Sequence, residues 1–273
     1  GKEFILLELL QNAWDENCTK VTVSLTRVPS SKYVRLLVED DNPDGFADLS
    51  HAFTLFAASK KKSDAEKRGR FNLGEKLVLA LCEEAAISST RGSVFFDENG
   101  RTVKRSTRGA GSEFDGLLRM TTEEMQRCIN VARTLLAPHG IITVINGETL
   151  TARAPIARFE ASLPTETANE EGFMVRSRRM TTIEVHEPAP GEVTMVYEMG
   201  IPIVETGDRW HLNIRQKVPL SFDRDNVPPA YLSQVRAQAV ESMAEQLSTE
   251  DATAAWVREA VEKHGDAMTA KTI

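Results

Sequence analysis

The sequence predicts an α+β protein built as two domains, 1–152 and 153–273. Short apolar or alternating runs of strand length are interleaved with longer runs of helical period, and clusters of Gly, Pro, Asn and Asp punctuate them. A chain of 273 residues is long enough for two ordinary cores, and neither an internal repeat nor a low-complexity tract disturbs the pattern.

The first element is a helix over 3–14 (EFILLELLQNAW), with an apolar stripe at helical spacing. Two strands follow at 20–25 (KVTVSL) and 33–39 (YVRLLVE), flanking a Pro29-Ser30-Ser31 turn, and together they predict a β-hairpin. The second strand ends in Asp40-Asp41-Asn42-Pro43-Asp44-Gly45, which is turn chemistry. A helical segment at 49–58 precedes a polar loop at 59–68, and that loop closes on Gly69-Arg70-Phe71-Asn72-Leu73-Gly74-Glu75-Lys76 before an apolar helix at 77–82. Strands are expected at 85–90, 93–96 and 101–106, with Asn99-Gly100 as a hairpin turn. Gly111-Ser112 leads into one more strand, and a helix covers 122–136.

The stretches 138–147 and around Pro155 mark the softer boundary between domains. Beyond it the reading gives strands at 181–187, 192–197 and 202–205, separated by Gly191 and Gly200, with Gly207 beyond. A long helix at 232–247 and a single last helix at 251–263 complete the chain.

Composition excludes several classes. Hydrophobic residues make up 41% and charged residues 27%, which is ordinary for a folded chain and not for a disordered one. No apolar run approaches the roughly 20 residues that span a bilayer, and no signal-peptide pattern opens the sequence, so a cytoplasmic location without a membrane partner is expected. Three widely spaced cysteines, Cys18, Cys82 and Cys128, argue against a disulfide framework or zinc ribbon. Five scattered histidines give little support to a histidine metal site, so any metal is expected to arrive with a ligand. The net charge of −7 gives no global attraction to nucleic acid, although Lys60 to Lys62 and Arg176 to Arg179 form local basic clusters. Because the sequence opens on Gly1 and reaches its first helix at once, it is expected to be a fragment of a longer protein.

The first helix carries three polar residues of note. At about 100° per residue, Asn12 falls near +40° and Asp15 near −20° of Glu8, so a carboxylate, an amide and a second carboxylate share a narrow face. Leu6, Leu9, Leu10, Ala13 and Trp14 occupy the other side. A solvated face of an amphipathic helix has the same appearance, and the order of motifs decides between the two.

A helix with ExxxNAxD, a strand ending in an Asp-rich glycine turn, and Gly-x-x-x-x-Gly-x-Lys opening a helix resemble the three boxes of the GHKL superfamily. Gyrase, the heat-shock chaperone, histidine kinases and the MutL mismatch-repair protein give that superfamily its name. The resemblance covers about residues 3 to 120 as an ATPase domain and, more weakly, the rest as a transducer domain. It implies a Bergerat-type ATP-binding α/β sandwich followed by a smaller transducer-like α+β domain, with ATP and Mg²⁺ as cofactors.

The resemblance assigns Asn12 as the Mg²⁺ ligand and Glu8 as the general base that takes a proton from the attacking water. Asp15 would bind near the nucleotide or hold the box in place. Asp41 matches the carboxylate that reads the adenine amine, with Asp40 as its substitute, and Gly45 matches the second glycine of the DxGxG turn. Pro43 stands where the first glycine would be, a departure in local turn geometry. Gly69 and Gly74 match the phosphate-cradling glycine box, Lys76 adds charge there, and 59–68 becomes the ATP lid. Ser112 matches the hydroxyl beside the adenine-reading aspartate. From the second domain, Lys217 resembles the basic residue sent to the γ-phosphate, with Arg224 as its substitute.

The function implied is Mg-dependent ATP binding and slow hydrolysis that drives a conformational or dimerisation switch. The partners implied are ATP and an ATP-dependent homodimer, with a nucleic-acid or protein client left open. Two alternatives stand beside it: histidine-kinase-like phosphotransfer, disfavoured by Glu8 where those kinases carry Asn, and a non-catalytic nucleotide-binding or scaffold protein.

Overall fold

The computed structural model describes residues 2–45, 49, 64–68, 74–169, 173–220 and 227–264. All but Leu49 of the helix expected at 49–58, the front of the polar loop, Gly69 and Arg224 lie outside the described residues. The chain divides into two compact units, Gly1–Lys62 with Arg68–Ala152, and Ser63–Lys67 with Arg153–Ile273. Both mix helices with a sheet, so the α+β class is what the chain adopts.

The first unit is built on an eight-stranded sheet. Its strands are β1 (Lys20–Arg27), β2 (Tyr33–Asp40), β3 (Cys82–Ser89), β4 (Gly92–Asp97), β5 (Gly100–Lys104), β6 (Glu113–Arg119), β7 (Ile142–Ile145) and β8 (Glu148–Thr149). They are ordered β5-β4-β3-β6-β2-β1-β7-β8. All neighbours are antiparallel except β1 and β7, which run parallel. The β1–β2 hairpin pairs Val23 with Val38 and Leu25 with Leu36, so the alternating valines and leucines of both strands fall on one face. The register carries that row across the sheet through Val38, Phe114, Ile87 and Val94, each at most 6% exposed. Period-two burial of this kind fixes the register, because a one-residue slip would turn the whole row to solvent.

Among the described residues, three helices accompany the sheet: α1 (Glu3–Trp14), α2 (Gly74–Leu81) and α3 (Thr122–Arg133). Helix α1 packs on β1 and β2 and against both other helices. It buries Ile5, Leu6, Leu9, Leu10, Ala13 and Trp14, the side its apolar stripe predicts. Its end is fixed where Trp14 Nε1 donates to Thr143 Oγ1 on β7 at 3.0 Å. Helix α3 starts with a reciprocal capping box between Thr121 and Glu124, which satisfies two otherwise orphaned N–H groups.

The second unit holds a five-stranded sheet in the order β12-β11-β13-β10-β9. Its strands are β9 (Ala157–Ala168), β10 (Met174–His186), β11 (Met195–Glu198), β12 (Ile201–Glu205) and β13 (His211–Ile214). Helix α4 (Pro229–Ser242) contributes Tyr231, Val235 and Ala239 to a core with Ala161, Leu163, Ile183, Val185, Leu212 and Ile214. The expected helix at 232–247 therefore starts earlier, at Pro229, and ends at Ser242 before a 3₁₀ turn at Ala244–Gln246. The single last helix is corrected to two, α5 (Thr249–Thr253) and α6 (Ala255–His264). They are broken where Ala254 adopts an extended ψ of 146°.

Candidate functional site

Glu8 and Asn12 lie one turn apart on α1 and are half-buried. Asp15, at the C-terminal cap of the helix, is buried at 4% exposure. Arg68 engages both of its carboxylate oxygens: Arg68 N–H donates to Oδ2 and Arg68 Nη1 to Oδ1, each at 2.9 Å. The sequence reading offered a nucleotide contact or a structural tie for Asp15, and the bonds to Arg68 are of the second kind.

The end of β2 forms the second cluster. Residues Val34, Leu36 and Val38 are buried on the helix-covered face, and alternation puts Asp40 on that face, opposite Val21 in the register. Asp40 Oδ1 accepts from Asn42 N at 2.9 Å and from Ser112 N at 3.3 Å. Burial pushes the Asp40 carboxyl above the usual aspartate range, and the two backbone N–H donors only partly offset it. Glu16 and Asp41 add like charge nearby.

Asp41 has a different environment. It is exposed, and its carboxylate accepts from Thr19 N at 2.7 Å, Lys20 N at 2.9 Å and Thr19 Oγ1 at 2.6 Å. What burial there is pushes its pKa up, but these three bonds outweigh it and hold the carboxyl below the usual range. Asp41 thus closes the start of β1 onto the end of β2. Asp40, the substitute for Asp41 at adenine, faces the covered side, beside Ser112. The signal was present in the sequence, in the alternation Val34, Leu36, Val38 that continues to Asp40.

Two glycines shape this corner. The Asn42 carbonyl accepts from both Gly45 N and Gly111 N at 3.0 Å, so two separate turns share one acceptor. Gly111 has φ +75°, and a Cβ there would come within 2.0 Å of the Asp40 carbonyl oxygen. Gly45 has φ +61°, and its Cβ would meet Ser89 Oγ at 2.5 Å. Both positions require glycine, for backbone conformation and for space. Buried Asn42 closes the turn from inside, its Oδ1 accepting from Asp44 N at 3.1 Å.

Of the glycine box, Gly74 opens α2. Lys76 lies on the first turn of that helix. In the second unit Lys217 is fully buried, with its N–H donating to Ala65 O at 2.8 Å and its Nζ to Asp64 O at 2.6 Å. Thr165 Oγ1 donates to its carbonyl. Lys217 is therefore built into the second unit around the segment Ser63–Lys67, the rear of the stretch the sequence reading took for a lid.

Among the described residues no group of three or more His, Cys, Asp or Glu could hold a metal by itself. No helix among the described residues is long and apolar enough to cross a membrane.

No protein-family model matches the chain, and no curated protein matches it. Among the solved structures that resemble it in shape are the ATPase region of Saccharomyces cerevisiae topoisomerase II, and the same region bound to ICRF-187 (dexrazoxane). Each has a TM-score of 0.43 and 11% sequence identity, over 72% of this chain and 60% of that one. The chain thus spans 60% of the length of those solved chains. The functional reading rests on this chain's own residues.

Proposed function

We propose that the first unit binds Mg-ATP and hydrolyses it slowly, and that the nucleotide gates a conformational or dimerisation switch in a Bergerat-type ATPase of the GHKL kind. The observation that carries this reading is the polar corner where β2 ends. A carboxylate on the helix-covered face, Asp40, is framed by Ser112 and by two glycines that let backbone approach closely. Helix α1, bearing Glu8 and Asn12, packs on the same strand.

In this proposal Asp40 accepts a hydrogen bond from the exocyclic amine of adenine, and Ser112 supports it. A carboxylate acceptor selects an amine donor over a carbonyl at that position, which separates adenine from guanine. Asn12 supplies an amide oxygen to Mg²⁺. A hard cation that prefers oxygen and keeps part of its ligand set for phosphates and water fits one protein ligand of this kind. When bound, the ion neutralises phosphate charge. Glu8, one turn from Asn12, takes the proton from the attacking water, a role that a fixed helix position serves by holding the carboxylate within reach. Gly69, Gly74 and Lys76 are proposed for the phosphates, because backbone N–H groups at a helix start and the helix dipole favour anions. Lys217 is proposed as the basic residue for the γ-phosphate.

The test is phosphate release with Mg-ATP, wild type beside Glu8→Ala, with nucleotide affinity measured on both. Slow turnover in the wild type that is lost in Glu8→Ala while ATP still binds is the expected result. ATP binding without turnover in either protein favours the non-catalytic alternative, and no binding at all sinks the reading. Lys217→Met should lower turnover more than ATP affinity.

A further inference from the structure

We propose that Asn42 is a positioning residue for base recognition, which fixes the Asp40 carboxylate so that only Oδ2 is offered to the ligand. This deepens the nucleotide reading above and rests on it. Asp40 Oδ1 accepts two backbone N–H groups, from Asn42 at 2.9 Å and from Ser112 at 3.3 Å. Among the described residues no donor reaches Oδ2. One oxygen is locked to the backbone, and the other remains for an amine.

The lock is made by two Asx-turns in series, in each of which a side-chain oxygen accepts from the N–H two residues on. Asp40 Oδ1 takes the N–H of Asn42, and Asn42 Oδ1 takes the N–H of Asp44 at 3.1 Å. The amide of Asn42 still has hydrogens to give, and Nδ2 donates to Gly45 O at 3.3 Å. Its main-chain carbonyl accepts from Gly45 N and Gly111 N. Ser112 follows Gly111 directly, so Asn42 joins the turn that supplies the first donor on Oδ1 to the loop that supplies the second. Thr90 Oγ1 holds the far side of the turn by donating to Asp44 O at 2.7 Å. Asn42 is 4% exposed, so solvent has little access with which to replace its side-chain bonds. The residue type matters. Aspartate at 42 could close the same Asx-turn but has no N–H for Gly45 O, and it would set another negative charge beside Asp40. An acceptor already fixed in direction loses less freedom when the base binds. Asn42 acts through Asp40 and is assigned no contact with the nucleotide.

The prediction is a selective loss of base discrimination. Isothermal titration with Mg-ATP and with Mg-GTP is made on the wild type, Asn42→Ala, Asn42→Ser, Asp40→Asn and the double variant Asp40→Asn/Asn42→Ala. Serine keeps a hydroxyl acceptor for Asp44 N and lacks the amide donor for Gly45 O, so it is the milder change. The preference for ATP over GTP is expected to fall about tenfold in Asn42→Ala and about threefold in Asn42→Ser. In the Asp40→Asn background, Asn42→Ala should alter that preference by less than about twofold, because its effect passes through the Asp40 carboxylate. Should Asn42→Ala fail to fold, Asn42→Ser decides by the same ratio. An unchanged ratio in the folded variants, whether both affinities hold or both fall together, overturns the proposal and leaves Asn42 a purely structural residue. An equally large loss of preference in the Asp40→Asn background overturns it too. A wild-type protein that binds neither nucleotide, or binds both equally, instead removes the reading of Asp40 itself, and the inference with it.

Discussion

The two sheets solve the same problem in different ways. Each has an apolar face closed by helices, but in the first unit the buried face ends in a carboxylate, Asp40, with glycines crowded around it. In the second unit Tyr231, Val235 and Ala239 of α4 pack on the apolar face, and a cluster of buried polar groups lies on the opposite face. There His186 and His211 are direct partners across β10 and β13. His211 Nδ1 accepts from Met195 N at 3.0 Å, and its Nε2 lies 3.3 Å from Glu192 Oε2. Neither ring nitrogen of His186 has a hydrogen-bond partner among the described residues. Arg153 grips both oxygens of Glu192, at 2.6 and 2.9 Å. Burial raises the Glu192 pKa, but the Arg153 bonds, the Ala189 N–H and His211 outweigh it and bring it to about 2. The lesson is that this charge in the second unit is largely spent on itself, as is the Asp15–Arg68 pair of the first, whereas Asp40 borders turns that only glycine can make.

The sharpest break in that comparison is Glu8→Ala. If the first unit is the catalytic one, turnover should fall by about 10²–10⁴, the usual value of a positioned general base, while ATP binding persists. Retained turnover would remove Glu8 from the chemistry.

The next largest effect is expected at the glycine corner. Gly111→Ala drives a methyl into the Asp40 carbonyl and forces φ +75° on an alanine. A loss of about 1–3 kcal/mol or more follows, read as a drop in thermal midpoint together with weaker ATP binding. Gly140→Ala, also at positive φ but with nothing within 4 Å of its Cβ, isolates the conformational part. Equal losses in the two variants would mean that crowding at Asp40 contributes nothing.

Asp40→Asn and Asp41→Asn sharpen the contrast within the first unit. The first should reduce ATP affinity about tenfold and weaken discrimination against GTP. The second should leave both nearly unchanged, since Asp41 serves Thr19 and Lys20. The wild-type pH profile has a definite sign. Because the Asp40 carboxyl sits above the usual aspartate range, the acceptor form is lost sooner as pH falls. ATP affinity should therefore decline at a higher pH than an ordinary aspartate would give. A profile that is the same in Asp40→Asn would disconnect this residue from the base.

The smallest effect is expected in the second unit. Burial lowers the His186 pKa from its ordinary value near 6.5, opposed by Glu184 and reinforced by His211, Arg153 and Arg158. Between the depressed folded value and about 6.5 the unfolded chain binds a proton that the folded one does not, so stability is full above that window and falls as pH drops through it. His186→Phe should flatten the change in thermal midpoint between pH 7.5 and 5.5. An unaltered slope would assign it to other groups.

Much of the first unit was legible because its signals are local. The apolar stripe of α1 set which side it buries, the alternation in 20–39 set the hairpin, and the glycine positions 45 and 111 marked turns that only glycine can make. Elements that depend on distant partners were missed. Strand β7 pairs in parallel with β1 more than 100 residues away, and its ITVI was read as boundary. Strand β13 has only four residues, all buried, which leaves no alternation to detect. Pro164 interrupts the pattern of β9, although the strand continues through it beside Arg178.

By itself, the sequence determined the α+β class, the helix that carries Glu8 and Asn12, and the aspartate-rich turn with its glycines, since periodicity and turn chemistry are written within a few residues. Only the tertiary structure decided which aspartate faces the covered side, that Asp15 holds Arg68 across 53 positions, and that Lys217 closes around Asp64 and Ala65. These are pairings between groups far apart in the chain, and local propensity carries no information about which distant donor will satisfy a buried acceptor.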